Sequence, residues 1–369
     1  MNDRSSVSAT ALYATSFVSS VVSAVSVSPH FFGSGGYRES LIAVAVSFAV
    51  TSLAAVPALC LSREGTGLME AARLRLGKAA VAVSVFYYAV LGYFGFYFLS
   101  FFLVFIDNTI DPVLPVWAVS GGVVLAAMYG VWHGLPTVSR AGLYAFALTV
   151  LGFGFIFLML FKEMNFTYLY AEKPLRPDIS TTALFTAGRA TSLVHLLLFL
   201  PRTRGRKAVG FWVLNIGFHL LCGVIVFFLA ACLGNMASSQ LFPVYTLAQL
   251  ANFGALQRLD IIFLFLWIGG IVLRLCLDLL AGEELFCFHD RSLLTGQEEH
   301  FPPQKRLQLL QAVLLAVPAA LVADHLPLQR WLFSSQVITL VALFAGVVVP
   351  LFVLCLDRIC RGRKEASRG

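Results

Sequence analysis

The sequence predicts an all-α integral membrane protein with about ten transmembrane helices. Hydrophobic residues make up 59% of its 369 residues, only 12% are charged, and mean hydropathy is +0.84. Apolar runs long enough to span a bilayer recur along the chain, and lysine and arginine gather on alternate connections between them. A soluble domain carries about 25% charged residues, so composition excludes a soluble enzyme with a single anchor.

A helix needs roughly 20 apolar residues to cross about 30 Å of hydrocarbon. Runs of that length fall at 8–29, 40–61, 79–106, 112–132 and 141–161, then at 180–200, 208–233, 259–282, 308–323 and 333–357, numbered here as spans 1 to 10. Span 1 follows Arg4 and contains Ser-Ala-Val-Ser at 23–26. It reads as a helix and not a cleaved leader, because it is long, serine-rich and followed at once by span 2. The longest connections, near 162–179, 234–258 and 283–307, are too short to fold alone. The chain is therefore expected to be a single permease domain over 1–369, with spans 1–5 at about 8–161, spans 6–10 at about 180–357 and a short basic tail at 358–369. The cysteines imply no disulfide framework, since Cys222, Cys232 and Cys276 lie inside apolar runs.

Basic residues set the expected orientation. With the N-terminus inside, the inner segments hold 18 lysines and arginines and the outer segments 6, and Arg189 and Arg274 lie within helices. Ten spans with both termini cytoplasmic fit that distribution. The net charge of +7 is then a topology signal with a preference for anionic head groups, and gives no reason to expect nucleic acid.

Spans 1–5 and 6–10 carry a faint echo of each other. An amphipathic stretch, Glu64 to Leu76, precedes Gly77 and span 3, and Val244 to Phe253 precedes Gly254 and span 8. One falls inside and the other outside, as an odd-numbered inverted repeat of five and five requires. In such a repeat, interruptions in the first and sixth spans expose backbone groups near the midplane that can hold a zwitterion.

The polar residues inside the spans are the site candidates. Span 1 offers Ser19, Ser20 and Ser23, which serve equally as a polar lining or as close-packing hydroxyls bonded to the preceding turn. Span 6 offers Gly188, Arg189 and Ser192. A charge at that depth must meet a wet cavity or a partner, so Arg189 receives either a ligand carboxylate or a structural one. His195 and His219 read more readily as satisfied bundle histidines. In span 3, Tyr87, Tyr88, Tyr93 and Tyr97 form an aromatic face, with Tyr88 a candidate contact. In span 8, Trp267 precedes Gly269-Gly270, and Arg274 and Asp278 are four apart on one face, suited to an ion pair or a relay. No zinc-protease, paired-thiol, phosphate-loop or nucleophile-elbow motif occurs, and neither a cofactor, a metal nor catalysis is expected.

Several segments carry a family resemblance: Phe242-Pro243, Arg258-Leu259-Asp260 and Trp267; Pro29 before a glycine-rich loop; Gly134 to Arg140; Pro201 before Arg202 to Lys207; and Val349-Pro350 before the basic tail. In order and spacing, this set resembles the spore germination permeases, the GerAB-type B subunits of nutrient germinant receptors in the amino acid, polyamine and organocation transporter superfamily. The resemblance implies a LeuT-like transporter fold that senses a small nutrient, an amino acid, between spans 1, 3, 6 and 8. It also implies relay to a receptor A subunit and a C lipoprotein in the cell membrane or spore inner membrane. An amino acid/cation symporter and a structural subunit without its own ligand are the alternatives. Two departures stand out. Val22-Ser23-Ala24 replaces the family's glycines in span 1, and Ser192-Leu193-Val194 replaces its Gly-aromatic-Glu in span 6.

Overall fold

The computed structural model describes residues 7–26, 36–63, 67–110, 113–169, 192–205, 207–251, 260–293, 304–323, 325 and 334–366. The described chain is helical almost throughout. In order it forms α1 (Ala9–Ser26), α2 (Tyr37–Ala54), α3 (Val56–Arg63), α4 (Leu68–Leu76), α5 (Ala80–Thr109), α6 (Val116–Trp132) and α7 (Leu135–Leu160). The second half forms α8 (192–199), α9 (Lys207–Leu233), α10 (Pro243–Leu250), α11 (Asp260–Leu293), α12 (Gln304–Ala323), α13 (Ser335–Leu343) and α14 (Val349–Ala366). A short π-helical stretch, Phe344–Val348, joins α13 to α14.

Among the described residues, seven helices are long and apolar enough to cross a membrane, and α6 and α12 are shorter apolar helices. Most of span 6 lies outside the described residues; α8 is its described end. Apolar side chains cover the outside: Trp117, Tyr144, Leu151 and Leu220 are 67–73% exposed. Bulky apolar groups turned outward from several helices suit hydrocarbon as the surrounding solvent.

Helix α1 is the axis of the bundle. All of it except Thr10 is buried, and it packs against α7, α9 and α11. Glycine makes that closeness possible. A Cβ at Gly142 of α7 would lie 2.0 Å from Thr15 Oγ1, and one at Gly270 of α11 would lie 2.3 Å from Val22 Cγ2, so any larger residue at either position drives the helices apart.

The interruption expected in span 1 does not appear within Ala9–Ser26, which is one continuous helix. The cause is local. The stretch contains neither glycine nor proline, and its hydroxyls are satisfied within the helix itself: Thr15 donates to the Ala11 carbonyl at 2.8 Å, Ser20 to Ser16 at 2.7 Å and Ser23 to Ser19 at 2.9 Å.

Two further differences concern connections. The loop expected over 283–307 is helical as far as Leu293, because hydropathy falls at Glu283-Glu284 but no glycine or proline follows until Gly296. Ahead of α1, Val7 and Ser8 pair in parallel with Thr203 and Arg204 after α8, a two-residue ladder with no signal in either segment alone.

Short helices stand before both long ones. Helix α4 ends at Gly77, whose φ of 56° closes the helix and turns the chain into α5. Helix α10 precedes α11, with Gly254 outside the described residues. A polar ladder joins α2 to α9: Asn215 Nδ2 donates to Ser52 Oγ at 3.0 Å, Thr51 Oγ1 to Asn215 Oδ1 at 3.3 Å, and Ser47 Oγ lies 3.3 Å from His219 Nε2. Such bonds between spanning helices fix their register.

Candidate functional site

Three helices bring polar side chains to one place against α1. Helix α11 presents Trp267, Arg274, Asp278 and Gly282 at steps of seven, four and four residues, hence along one face. Helix α1 contributes Ser19, Ser20 and Ser23, and α8 contributes Ser192 and His195.

Arg274 is fully buried. Its Nε donates to Asp278 Oδ2 at 3.0 Å, and one terminal nitrogen donates to Ser19 Oγ at 3.1 Å and Ser23 Oγ at 3.4 Å. Because the Ser23 hydroxyl spends its own proton on the Ser19 carbonyl, its lone pairs remain available to the guanidinium. The guanidinium carbon sits 4.8 Å from the centre of the Phe98 ring on α5, a cation–π contact strengthened by the absence of water.

The other carboxylate oxygen reaches α8. His195 Nε2 lies 2.7 Å from Asp278 Oδ1, and Ser20 Oγ lies 2.8 Å from Ser192 Oγ. Arg274, His195 and the three α1 serines are shielded completely, and Asp278 is 4% exposed. Burying an ion costs several kcal/mol unless its partners replace water, and here they come from α1, α5, α8 and α11. His195 Nδ1, also buried, has no hydrogen-bond partner among the described residues.

The candidates therefore separate. Ser19, Ser23, Arg274 and Asp278 form one network with His195, and Ser20 and Ser192 bond to each other beside it between α1 and α8. Trp267 lies two helical turns from Arg274, about 10 Å along the axis, in an aromatic cluster whose ring centres include Phe105 at 4.3 Å and Phe263 at 5.5 Å. Tyr88 faces a different space, between α5, α11 and α12. Gly188 and Arg189 lie outside the described residues.

The aromatic face of span 3 divides in the same way. Tyr87 is buried and donates to the Ala345 carbonyl of the π-helical stretch at 2.7 Å, while Tyr88 and Tyr93 line the space beside α12. Among the described residues no group of three or more His, Cys, Asp or Glu side chains could hold a metal ion.

The model of the family described as "Spore germination protein" matches residues 41–287, most of the chain and the greater part of its spanning helices. The chain belongs to the spore germination permease family. The GerAB-type resemblance and the transporter fold agree. A Na+-coupled sialic acid symporter, solved substrate-bound and outward-open, is similar in fold with a TM-score of 0.59 at 13% identity, covering 92% of this chain and 77% of that one. That symporter is of the LeuT-like class. No curated protein matches the sequence significantly.

This permease is thus an integral membrane protein with a transporter-like architecture. Its buried acid comes from α11, for Asp278 meets α8 at His195. Sequence reasoning placed Arg274 and Asp278 together and read His195 as a satisfied bundle histidine, but it did not find the contacts of His195 with Asp278 and of Phe98 with Arg274. Neither could be found by spacing, because both contacts join residues from different helices.

Proposed function

We propose that this permease is the membrane-embedded subunit of a spore nutrient germinant receptor, binding an amino acid and triggering germination through a receptor A subunit and a C lipoprotein. Both termini are cytoplasmic in this reading, and spans 1–5 and 6–10 are inverted halves. Family membership supports the receptor class, and the arginine-centred network carries the ligand argument. A desolvated guanidinium is the side chain best suited to a carboxylate. Arg274 touches α1 and α5 as well as Asp278, and Asp278 touches α8.

The ligand's carboxylate competes with Asp278 for Arg274. Asp278 then changes its hold on His195, and α8 shifts against α11. A nutrient moves that balance only by binding one arrangement better than the other. The planar guanidinium fork presents parallel donors that match a carboxylate, so it serves as a fixed anchor.

The test is germination of spores whose chromosomal copy is replaced by Arg274→Lys or Arg189→Ala. A shifted nutrient dose–response for Arg274→Lys, at unchanged receptor level, supports the reading. An unaltered response removes Arg274 from the ligand site, and an unaltered response to Arg189→Ala removes Arg189. Concentrative uptake of labelled amino acid by proteoliposomes holding the chain alone points instead to a symporter.

A further inference from the structure

The described helices form a cavity of about 360 Å³ between α5, α11 and α12. It runs from Tyr88 to Phe96 along α5 and from Gln311 to Pro318 along α12, about 10–12 Å at 1.5 Å per residue. Its two ends differ. At one, Gln311 and Tyr88 converge on Gly282, whose missing Cβ would lie 2.7 Å from Gln311 Nε2 and 3.4 Å from Tyr88 Cε2. At the other lie Phe96 and Pro318.

Gln311 is 5% exposed, yet among the described residues neither its amide nitrogen nor its amide oxygen has a hydrogen-bond partner. Leaving both groups unmet costs about 1–3 kcal/mol each, a penalty that a bound donor–acceptor group removes. Among the described lining residues the only charged one, Asp278, already has one oxygen on His195 and the other on Arg274. No unmet charge awaits an ion there. Ala89 and Leu314, both lining residues, are exposed midway along their helices, so the cavity opens sideways where hydrocarbon surrounds the protein.

We propose that this slot is a second ligand site, taking an uncharged, elongated amphiphile from the bilayer with its alcohol or amide head on Gln311 and its apolar body toward Phe96 and Pro318. The source is a small membrane-dissolved molecule or the chain of a neutral lipid, and the site is independent of the nutrient reading. Because Asp278 lines its wall, an occupant touches the carboxylate that joins α8 to α11.

The test uses the full chain in lipid nanodiscs and a diazirine-bearing n-alkanol, with labelled peptides mapped by mass spectrometry. Label is expected on α5, α11 and α12 around Gln311. It should be competed by n-alkanols and n-alkylamides whose potency rises about fourfold per methylene, the equivalent of ~0.8 kcal/mol, until the slot is full. Gly92 lines the slot and a Cβ there meets nothing within 4 Å. Gly92→Leu therefore starts from a Cβ in open space and projects its side chain into the slot, which should weaken competition at least tenfold, and Gln311→Leu should erase the preference for a hydrogen-bonding head. Lipid analysis separates the sources: a neutral lipid retained by wild type and lost from Gly92→Leu assigns the slot to a lipid chain, and its absence assigns it to a free amphiphile. Label scattered over the lipid-facing surface, or unchanged by Gly92→Leu, overturns the proposal.

Discussion

Asp278 Oδ1 lies 2.7 Å from His195 Nε2, joining the longest described helix to the short described end of span 6. The same carboxylate holds Arg274 through its second oxygen, so one side chain ties α8 to α11 and, through the guanidinium, to α1. Removing the carboxylate strands a buried cation. Asp278→Asn is expected to destabilise the protein by about 3–5 kcal/mol, read as a lower thermal midpoint in detergent. Asp278→Leu combined with Arg274→Leu should lose less than Asp278→Asn alone, because no uncompensated charge remains.

The hydroxyls of Ser20 and Ser192 meet between α1 and α8. Hydrogen bonds between spanning helices contribute about 0.6 kcal/mol on average and up to ~1.7. A double-mutant cycle of Ser20→Ala and Ser192→Ala should give a coupling in that range. Strict additivity would show that the contact contributes nothing.

Tyr87 caps the carbonyl of Ala345, inside the π-helical stretch whose hydrogen-bonding is irregular. Tyr87→Phe keeps the ring and leaves that carbonyl without its hydroxyl partner, at a cost of about 1 kcal/mol. Amide exchange should quicken across Phe344–Val348 and stay unchanged in α7.

Gly269 and Gly270 form a matched pair for testing how closely α1 approaches α11. A Cβ at Gly270 meets Val22 at 2.3 Å, whereas one at Gly269 meets nothing within 4 Å. Gly270→Ala should cost about 1–3 kcal/mol of stability, and Gly269→Ala should be neutral or slightly stabilising. Equal effects would contradict the close approach.

Most of the helical architecture was legible because hydropathy and length are local properties. Spans 3, 4 and 7 begin and end within a few residues of α5, α6 and α9. Polarity misled where it is a poor guide to helix ends, as at Glu283-Glu284, which α11 simply continues through. The site was legible only in part. The Arg274–Asp278 pair lies within one turn of a helix and so leaves a mark in the sequence. His195, Phe98 and Gln311 acquire meaning only when α8, α5 and α12 close around α11, and no spacing along the chain encodes that. The serines of span 1 were ambiguous for the opposite reason. Ser23 both bonds back to its own helix and faces Arg274, Ser19 faces Arg274, and Ser20 bonds back to Ser16 and meets Ser192.

The central claim is that an amino acid binds through its carboxylate at Arg274. It is tested most directly by the thermal midpoint of the purified chain with a panel of amino acids and the matching amino acid amides, since a ligand that binds only the folded state stabilises it by mass action. The account predicts that at least one amino acid raises the midpoint, that its amide does not, and that Arg274→Lys diminishes the shift. Equal stabilisation by the amide, or no stabilisation by any amino acid, would contradict it.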